Sequence, residues 1–368
     1  MWYVLVIFAI ILGIVFEKSK LVSTFQLCLM WVMMGWSFGN ADYQNYLTRY
    51  TYYDSSALEE RTEYLFFKLF RLGNNIGLSY EQFLILISLV YVLALGIIIK
   101  KTSSNPNLVY ALYFIFPACV ETTQIRFSFA CAFVLLGFIL LFNENIRLGE
   151  IYFSVLIVIA ALFHIGTILF MIMLPIRRLN LKRTVVYTGA CCLVIAIMGM
   201  GGANKILSLF PGMLSKLSYI HTFTFNSIVY WMIIEIIIWT FFLIMLRTFN
   251  HFCEHNNLDK LQKKDYIQKV AIISVVVIPV TFFFKDAYRI QQLLCILFYC
   301  FVSNIYPNGI IEARGMHKIV FNNTRLIMLV LCVMFALFYL FIVVLSSSNF
   351  ETVFIPYFEN NQFFESVF

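Results

Sequence analysis

Apolar runs punctuate the chain near residues 1–16, 21–38, 81–99, 107–120, 127–142, 150–163, 165–175, 184–200, 227–247, 267–284, 290–305 and 326–345, with short polar joints between them. An α-helix needs about 20 residues to cross a hydrocarbon core roughly 30 Å thick, and several of these runs approach that length. In lipid, only structures that satisfy their own backbone hydrogen bonds persist. With 62% hydrophobic and 12% charged residues over 368 positions, the chain is far more apolar than a soluble protein. The sequence therefore predicts an all-α, polytopic integral membrane protein, a single transmembrane domain over 1–368 with about twelve transmembrane or half-membrane helices. The first run lacks a basic flank and a small-residue cleavage site, so it reads as a retained helix and not as a signal peptide.

The net charge of +7 does not point to nucleic acid, because the basic residues sit in short joints where orientation bias accounts for them. With the N-terminus outside, Lys18, Lys20, Lys100, Lys101, Arg147, Arg177, Arg178, Lys182, Arg183 and the Lys260 to Lys269 group fall in the cytoplasm; the opposite orientation reverses the bias. Arg147 and Arg177 then lie on one side, so the chain between them crosses an even number of times. Two short helices broken at His164-Ile165-Gly166, or a re-entrant hairpin, meet that condition. Irregular backbone at membrane depth survives only where protein buries it or a wet cavity receives it, which predicts His164 at the outer edge of a cavity.

The same scheme places residues 39–80 and the aromatic tail 346–368 outside. Charges alternate with Tyr64, Phe66, Phe67 and Phe70 near 60–72, the pattern of an amphipathic helix lying in the interface. The nine cysteines lie mostly inside apolar runs and read as small core hydrophobes.

Candidate chemistry starts at Glu121-Thr-Thr-Gln-Ile-Arg126, a polar hexapeptide between two apolar runs. A guanidinium beside hydrocarbon is costly. Arg126 and Arg289 each open an apolar helix from the outer side, Arg289 with Asp286 and Tyr288 beside it. They are either snorkelling ends or forked donors for a pyrophosphate. His164, in a long apolar stretch, is a candidate general base. Asp42, Tyr43, Tyr46 and Arg49 share one helix face by spacing and would suit a sugar. Glu235 is the one acid deep inside a run and is held in reserve. His251 and His255 lack a metal-site context, no phosphate-binding loop appears, and no Asp-x-Asp stands near a boundary, so neither a metal nor a cofactor is expected.

The stretches ADYQNYLTRY (41–50), EYLFFKLFRL (63–72), QIRFSFACAFVLLGFILL (124–141), ALFHIGTILFMIMLPIRRL (161–179) and YRIQQLLCILFY (288–299) together resemble the EpsG/Wzy group of bacterial exopolysaccharide polymerases, which include O-antigen and capsule polymerases. Tyr64 stands where that family usually has proline or glycine after the acidic residue, Glu63. The resemblance implies a GT-C-like enzyme of the bacterial cytoplasmic membrane with its site facing outward. It would extend a glycan on undecaprenyl pyrophosphate, with a flippase and a chain-length regulator as partners beside the bilayer itself. An acceptor hydroxyl would attack the anomeric carbon of the lipid-linked donor, and the lipid pyrophosphate would leave. Arg126 and Arg289 fit the leaving group. His164, then Asp42 or Glu63, fit the attacking hydroxyl. Tyr43, Tyr46, Arg49, Glu121, Gln124, Asp286 and Tyr288 fit substrate contacts. A glycan ligase, or a flippase or exporter of the same lipid, are the alternatives; a flippase would carry charge through its depth, whereas here charge clusters at outer helix ends.

Overall fold

The computed structural model describes residues 2–16, 18–52, 63–197, 225–255, 264–281, 288–303, 316–345 and 349–367. Among them every regular element is helical, and an isolated bridge pairs Ser37 with Asn361. Two helices are long and apolar enough to cross a membrane, Tyr80–Thr102 and Leu326–Leu345, and seven shorter apolar helices accompany them. The described residues thus bear out the all-α class, with a coarser count than the dozen crossings expected.

What marks a membrane protein is where the apolar side chains point. On Tyr80–Thr102, Leu86, Val90, Leu93 and Ile97 are exposed at helical spacing, while Phe83, Ile87, Tyr91 and Leu95 are buried. Ile151, Val155, Val158 and Leu162 repeat the exposed stripe on Gly149–Phe163, and Leu326, Val330, Met334, Leu337 and Phe341 repeat it near the chain's end. Water would penalise such stripes, whereas lipid tails accept them.

Contacts divide the chain into two compact units. The first comprises Met1–Asp54, Leu65–Leu136 and Ile296–Phe368, and the second Ser55–Tyr64 and Gly137–Cys295.

In the first unit, α1 (Trp2–Val15), α2 (Lys20–Gly35), α3 (Tyr43–Thr51), α4 (Tyr64–Asn75), α5 (Tyr80–Thr102), α6 (Pro106–Ile115), α7 (Ala118–Thr123) and α8 (Ile125–Leu141) follow in order. Buried amides pin the first helices together. Gln26 Nε2 donates to Ala9 O at 3.0 Å and to Asn107 O at 3.1 Å, and Asn107 Nδ2 donates to Phe16 O and Ser19 O at 2.6 and 2.8 Å. Gly13 permits that approach, since a Cβ there would meet Asn107 O at 2.5 Å and Ala111 Cβ at 2.9 Å. Gly13→Ala should therefore cost about 1–3 kcal/mol through overpacking. Gly189→Ala, with nothing within 4 Å, should hold or gain up to about 1 kcal/mol of helix propensity. Melting temperatures of the two variants in detergent check this opposed pair.

The amphipathic helix expected near 60–72 is α4, whose Phe66, Phe67 and Phe70 are buried while Lys68 and Arg71 stay exposed. It ends at a turn in which Gly77 has φ +80°, and Ser79 with Gln82 forms a capping box that starts α5. The C-terminal tail returns to the stretch that joins α2 to α3. Phe38 N–H donates to Asn360 O, Gln362 N–H to Trp36 O, Ala41 N–H to Thr352 O and Asn361 Nδ2 to Val32 O, all between 2.9 and 3.2 Å.

The second unit contains α9 (Gly149–Phe163), the 3-10 segment Ile165–Arg177, α10 (Leu181–Ile197), α11 (Phe225–His255), α12 (Lys264–Ser274), α13 (Val277–Thr281) and the start of α14 (Tyr288–Ser303). Helix α9 and the 3-10 segment form the expected hairpin. Its open ends are tied together, Arg177 Nη1 donating to Ile146 O at 3.0 Å and Arg178 Nε to Glu150 Oε1 at 3.0 Å. In the 3-10 segment Thr167, Phe170, Met173 and Ile176 are buried at every third position, as three residues per turn require. The larger rise, roughly 2 Å per residue, lets these 13 residues reach about as far as an α-helix four residues longer. That gives a short segment the depth of its α-helical partner.

Candidate active site

The hairpin's apex is His164, which caps α9 with extended backbone (φ −152°, ψ 110°) and begins the 3-10 turn. Its carbonyl accepts from Thr167 Oγ1 at 2.9 Å and from Thr167 N–H at 3.0 Å, which fixes the bend. His164 Nδ1 lies 2.9 Å from Glu63 Oε1, and the same carboxylate oxygen accepts the Ile165 N–H at 3.3 Å. The pair is closed to bulk solvent, His164 being 5% and Glu63 2% exposed. A carboxylate on Nδ1 orients the ring and leaves Nε2 as the nitrogen that meets other groups. Gly166 adds no side chain beside it; a Cβ there would stand 3.3 Å from Nε2. The arrangement can take a proton from a hydroxyl and steady the resulting imidazolium.

In the first unit, the polar hexapeptide is a helix break. Helix α7 stops at Thr123, Gln124 takes non-helical angles (φ −97°, ψ 49°), and α8 starts at Ile125. Arg126 is the second residue of α8, as Arg289 is of α14. A helix's positive end thus adds to each guanidinium. Arg126 Nε donates to Tyr46 Oη at 3.0 Å, and its Cζ lies 4.9 Å from the Tyr46 ring centroid and 5.6 Å from that of Phe67. Arg49 lies 5.6 Å from the same Phe67 centroid, so the two guanidinium carbons are at most twice that distance apart. Two guanidinium groups thus flank one aromatic ring.

The spacing of Asp42, Tyr43, Tyr46 and Arg49 does correspond to one helix, α3, with Asp42 at its N-cap. Tyr46 and Arg49 belong to the Phe67 cluster. Tyr43 instead donates to Glu81 Oε1 at 3.0 Å and rests against Tyr80. Burial, and then the Glu81 carboxylate, push the Tyr43 phenol above its usual range, so it stays a neutral donor.

Glu121 is fully buried, with the Tyr91 and Tyr113 hydroxyls both donating to its Oε2. Gln124, also buried, has its carbonyl occupied by Ser128 N–H and Oγ at 3.0 Å. Glu235 pairs with the Gln291 side-chain amide, deep in the second unit. Asp286 lies outside the described residues, as does the side chain of Tyr288. Among the described residues no three His, Cys, Asp or Glu side chains converge as a metal site would need.

Residue-by-residue reading missed Phe67 as a platform for two arginines and missed the partners of Glu121 and Glu235. The signal was present for Tyr91 and Tyr113, tyrosines inside apolar runs, because a buried phenol must donate to something.

A model of the EpsG family matches residues 20–358, nearly the whole chain. The chain belongs to the EpsG family. No curated protein and no solved structure matches it. The EpsG match runs through the Phe67 cluster, the His164 hairpin and α14, so every described candidate lies inside the family's own span. It also supports a membrane protein of polysaccharide biosynthesis, in agreement with the exposed apolar stripes.

Proposed function

We propose that this EpsG-family chain is a glycosyltransferase that polymerises undecaprenyl-pyrophosphate-linked oligosaccharide repeat units at the outer face of the bacterial cytoplasmic membrane. The observation that carries the reading is the buried Glu63–His164 pair at the apex of a membrane hairpin. A histidine held beside a carboxylate is the arrangement a general base for the attacking hydroxyl needs. In the reaction, the acceptor hydroxyl oxygen attacks the anomeric carbon and its proton passes to His164 Nε2. Glu63 holds the ring and offsets the imidazolium charge. The bond from the anomeric carbon to the pyrophosphate oxygen breaks, and negative charge gathers on the leaving group. Arginines fixed in advance stabilise that charge most where water is scarce. Arg126 and Arg289 are assigned this part, forked guanidinium groups suiting phosphate oxygens; the Nε–H bond to Tyr46 Oη orients Arg126. Asp42, Tyr43 and Arg49 of α3 are assigned to sugar binding, in an architecture of GT-C type. A flippase and a chain-length regulator act on either side of this step.

Deleting the gene and weighing the lipid-linked glycans tests the reading. Single repeat units should accumulate on the outer leaflet, with long chains absent. Units retained on the inner leaflet would establish a transporter instead, and finished chains awaiting transfer would establish a ligase.

A further inference from the structure

Glu121 stands at the centre of a set of ties that no step above uses. It is 0% exposed, and so are Tyr91 of α5 and Tyr113 of α6, whose hydroxyls both donate to its Oε2. Among the described residues its Oε1, also buried, meets no donor. A carboxyl in such surroundings costs free energy, and an apolar side chain would pack a buried turn without that cost. Apolar contact has no direction, however, whereas a hydrogen bond fixes both distance and angle. The main chain of the same residue is tied the other way. Ser128 Oγ shares its proton between Glu121 O at 2.9 Å and Gln124 O at 3.0 Å, across the break that separates α7 from α8. Ser128, again 0% exposed, lies in the first turn of α8 just beyond Arg126. Helix α7 has six residues, too few to hold a place by its own hydrogen bonds, so these ties set where the chain goes next.

We infer that Glu121 is a positioning residue for Arg126, a different part from the substrate contact that the resemblance implies for it. Its side chain is fixed to α5 and α6, its carbonyl to the first turn of α8, and that turn carries the guanidinium. The far end of the same arginine is fixed from α3, its Nε donating to Tyr46 Oη at 3.0 Å. One anchor sets the root of the side chain and the other its tip. Every group named belongs to one compact unit. A displacement of about 1 Å at a group that works on the transition state can cost ~10²-fold in rate, so a rigid root matters more than its bond energies suggest. The reaction that Arg126 serves is the polymerase reading above; the positioning rests on the hydrogen bonds alone.

NMR of the full-length protein in nanodiscs, with isotope label confined to arginine, tests the positioning without any substrate. Loss of a signal in Arg126→Lys assigns the Arg126 Nε–H resonance. Ser128→Ala and Tyr113→Phe each remove one tie and leave the others, and both should shift that resonance. Glu121→Leu accepts from neither phenol and should shift it furthest, whereas Glu121→Gln accepts from both and should return it toward its wild-type position. Chain elongation in isolated membranes should follow the same order. Ser128→Ala should lower kcat/KM about three- to tenfold, the worth of one hydrogen bond. In an Arg126→Lys background the same change should cost less than about twofold, because the guanidinium that Glu121 positions is already gone. An Arg126 resonance that stays put in Ser128→Ala and Tyr113→Phe overturns the proposal, even where Glu121→Leu fails to fold. So does a full-sized second loss in the Arg126→Lys background, which would make the Glu121 ties act on their own. The polymerase reading fails separately: wild-type membranes that extend no chains remove the reaction and leave the resonance to decide the positioning.

Discussion

His164→Gln should lower chain extension by about 10²–10⁴-fold, the usual share of a general base, while leaving the protein folded. Glutamine retains a polar side chain at the apex but cannot take a proton. Glu63→Gln should cost about as much, up to ~10⁴-fold, because an amide can donate to Nδ1, leaving the proton on Nε2 where the base must be free, and no longer offsets the ring's charge. The double variant should fall little below His164→Gln, since groups acting as one unit are not additive. Elongation of lipid-linked repeat units in isolated membranes, read as a ladder of chain lengths, measures all three. Loss of activity that merely tracks a falling melting temperature would reduce the pair to a structural latch. Full-length ladders from stable His164→Gln would end its assignment as the base.

Arg126→Lys is the second large effect, about 10²–10³-fold if the guanidinium stabilises a leaving pyrophosphate. Lysine keeps the charge. It loses the fork, the Nε–H bond to Tyr46 and the flat face toward Tyr46 and Phe67. Tyr46→Phe removes only the hydroxyl and should cost about three- to tenfold, the worth of one hydrogen bond to a charged group. The same elongation ladder ranks the variants. Normal chain lengths with both Arg126→Lys and Arg289→Lys would sink the clamp.

Much of the helical layout was legible because it depends on local pattern. The apolar run at 81–99 predicted the body of α5, and charge counting across Arg147 and Arg177 predicted a hairpin turning at His164. The α3 face was also legible, since four side chains at helical spacing need only one helix to hold them together. The pairings were not. His164 was conspicuous as a polar group in an apolar stretch and Glu63 only as the acidic residue the resemblance singles out, yet sequence period gives the face a residue occupies and not the partner that arrives from a distant segment. Glu121 shows the same limit: its exposed-looking hexapeptide is a buried helix break, and the two tyrosines that hold it come from α5 and α6. The 3-10 segment escaped notice for a different reason. Apolar residues fill almost every position from Ile165 to Ile176, so burial at every third residue cannot be told from an α-helical stripe until the backbone is seen.

The tail that returns to Trp36, Phe38 and Ala41 has a consequence for the order in which the protein can be assembled. A ribosome delivers the stretch after α2 early and residues 349–367 late, yet each is the other's backbone partner. Until the tail arrives, donors and acceptors around Ser37 must be met by water, and each one left buried and unmet costs about 1–3 kcal/mol. The loop that leads into α3 therefore gains its backbone partners only near the end of synthesis, so a partly made chain in the membrane enters α3 from an unfinished joint.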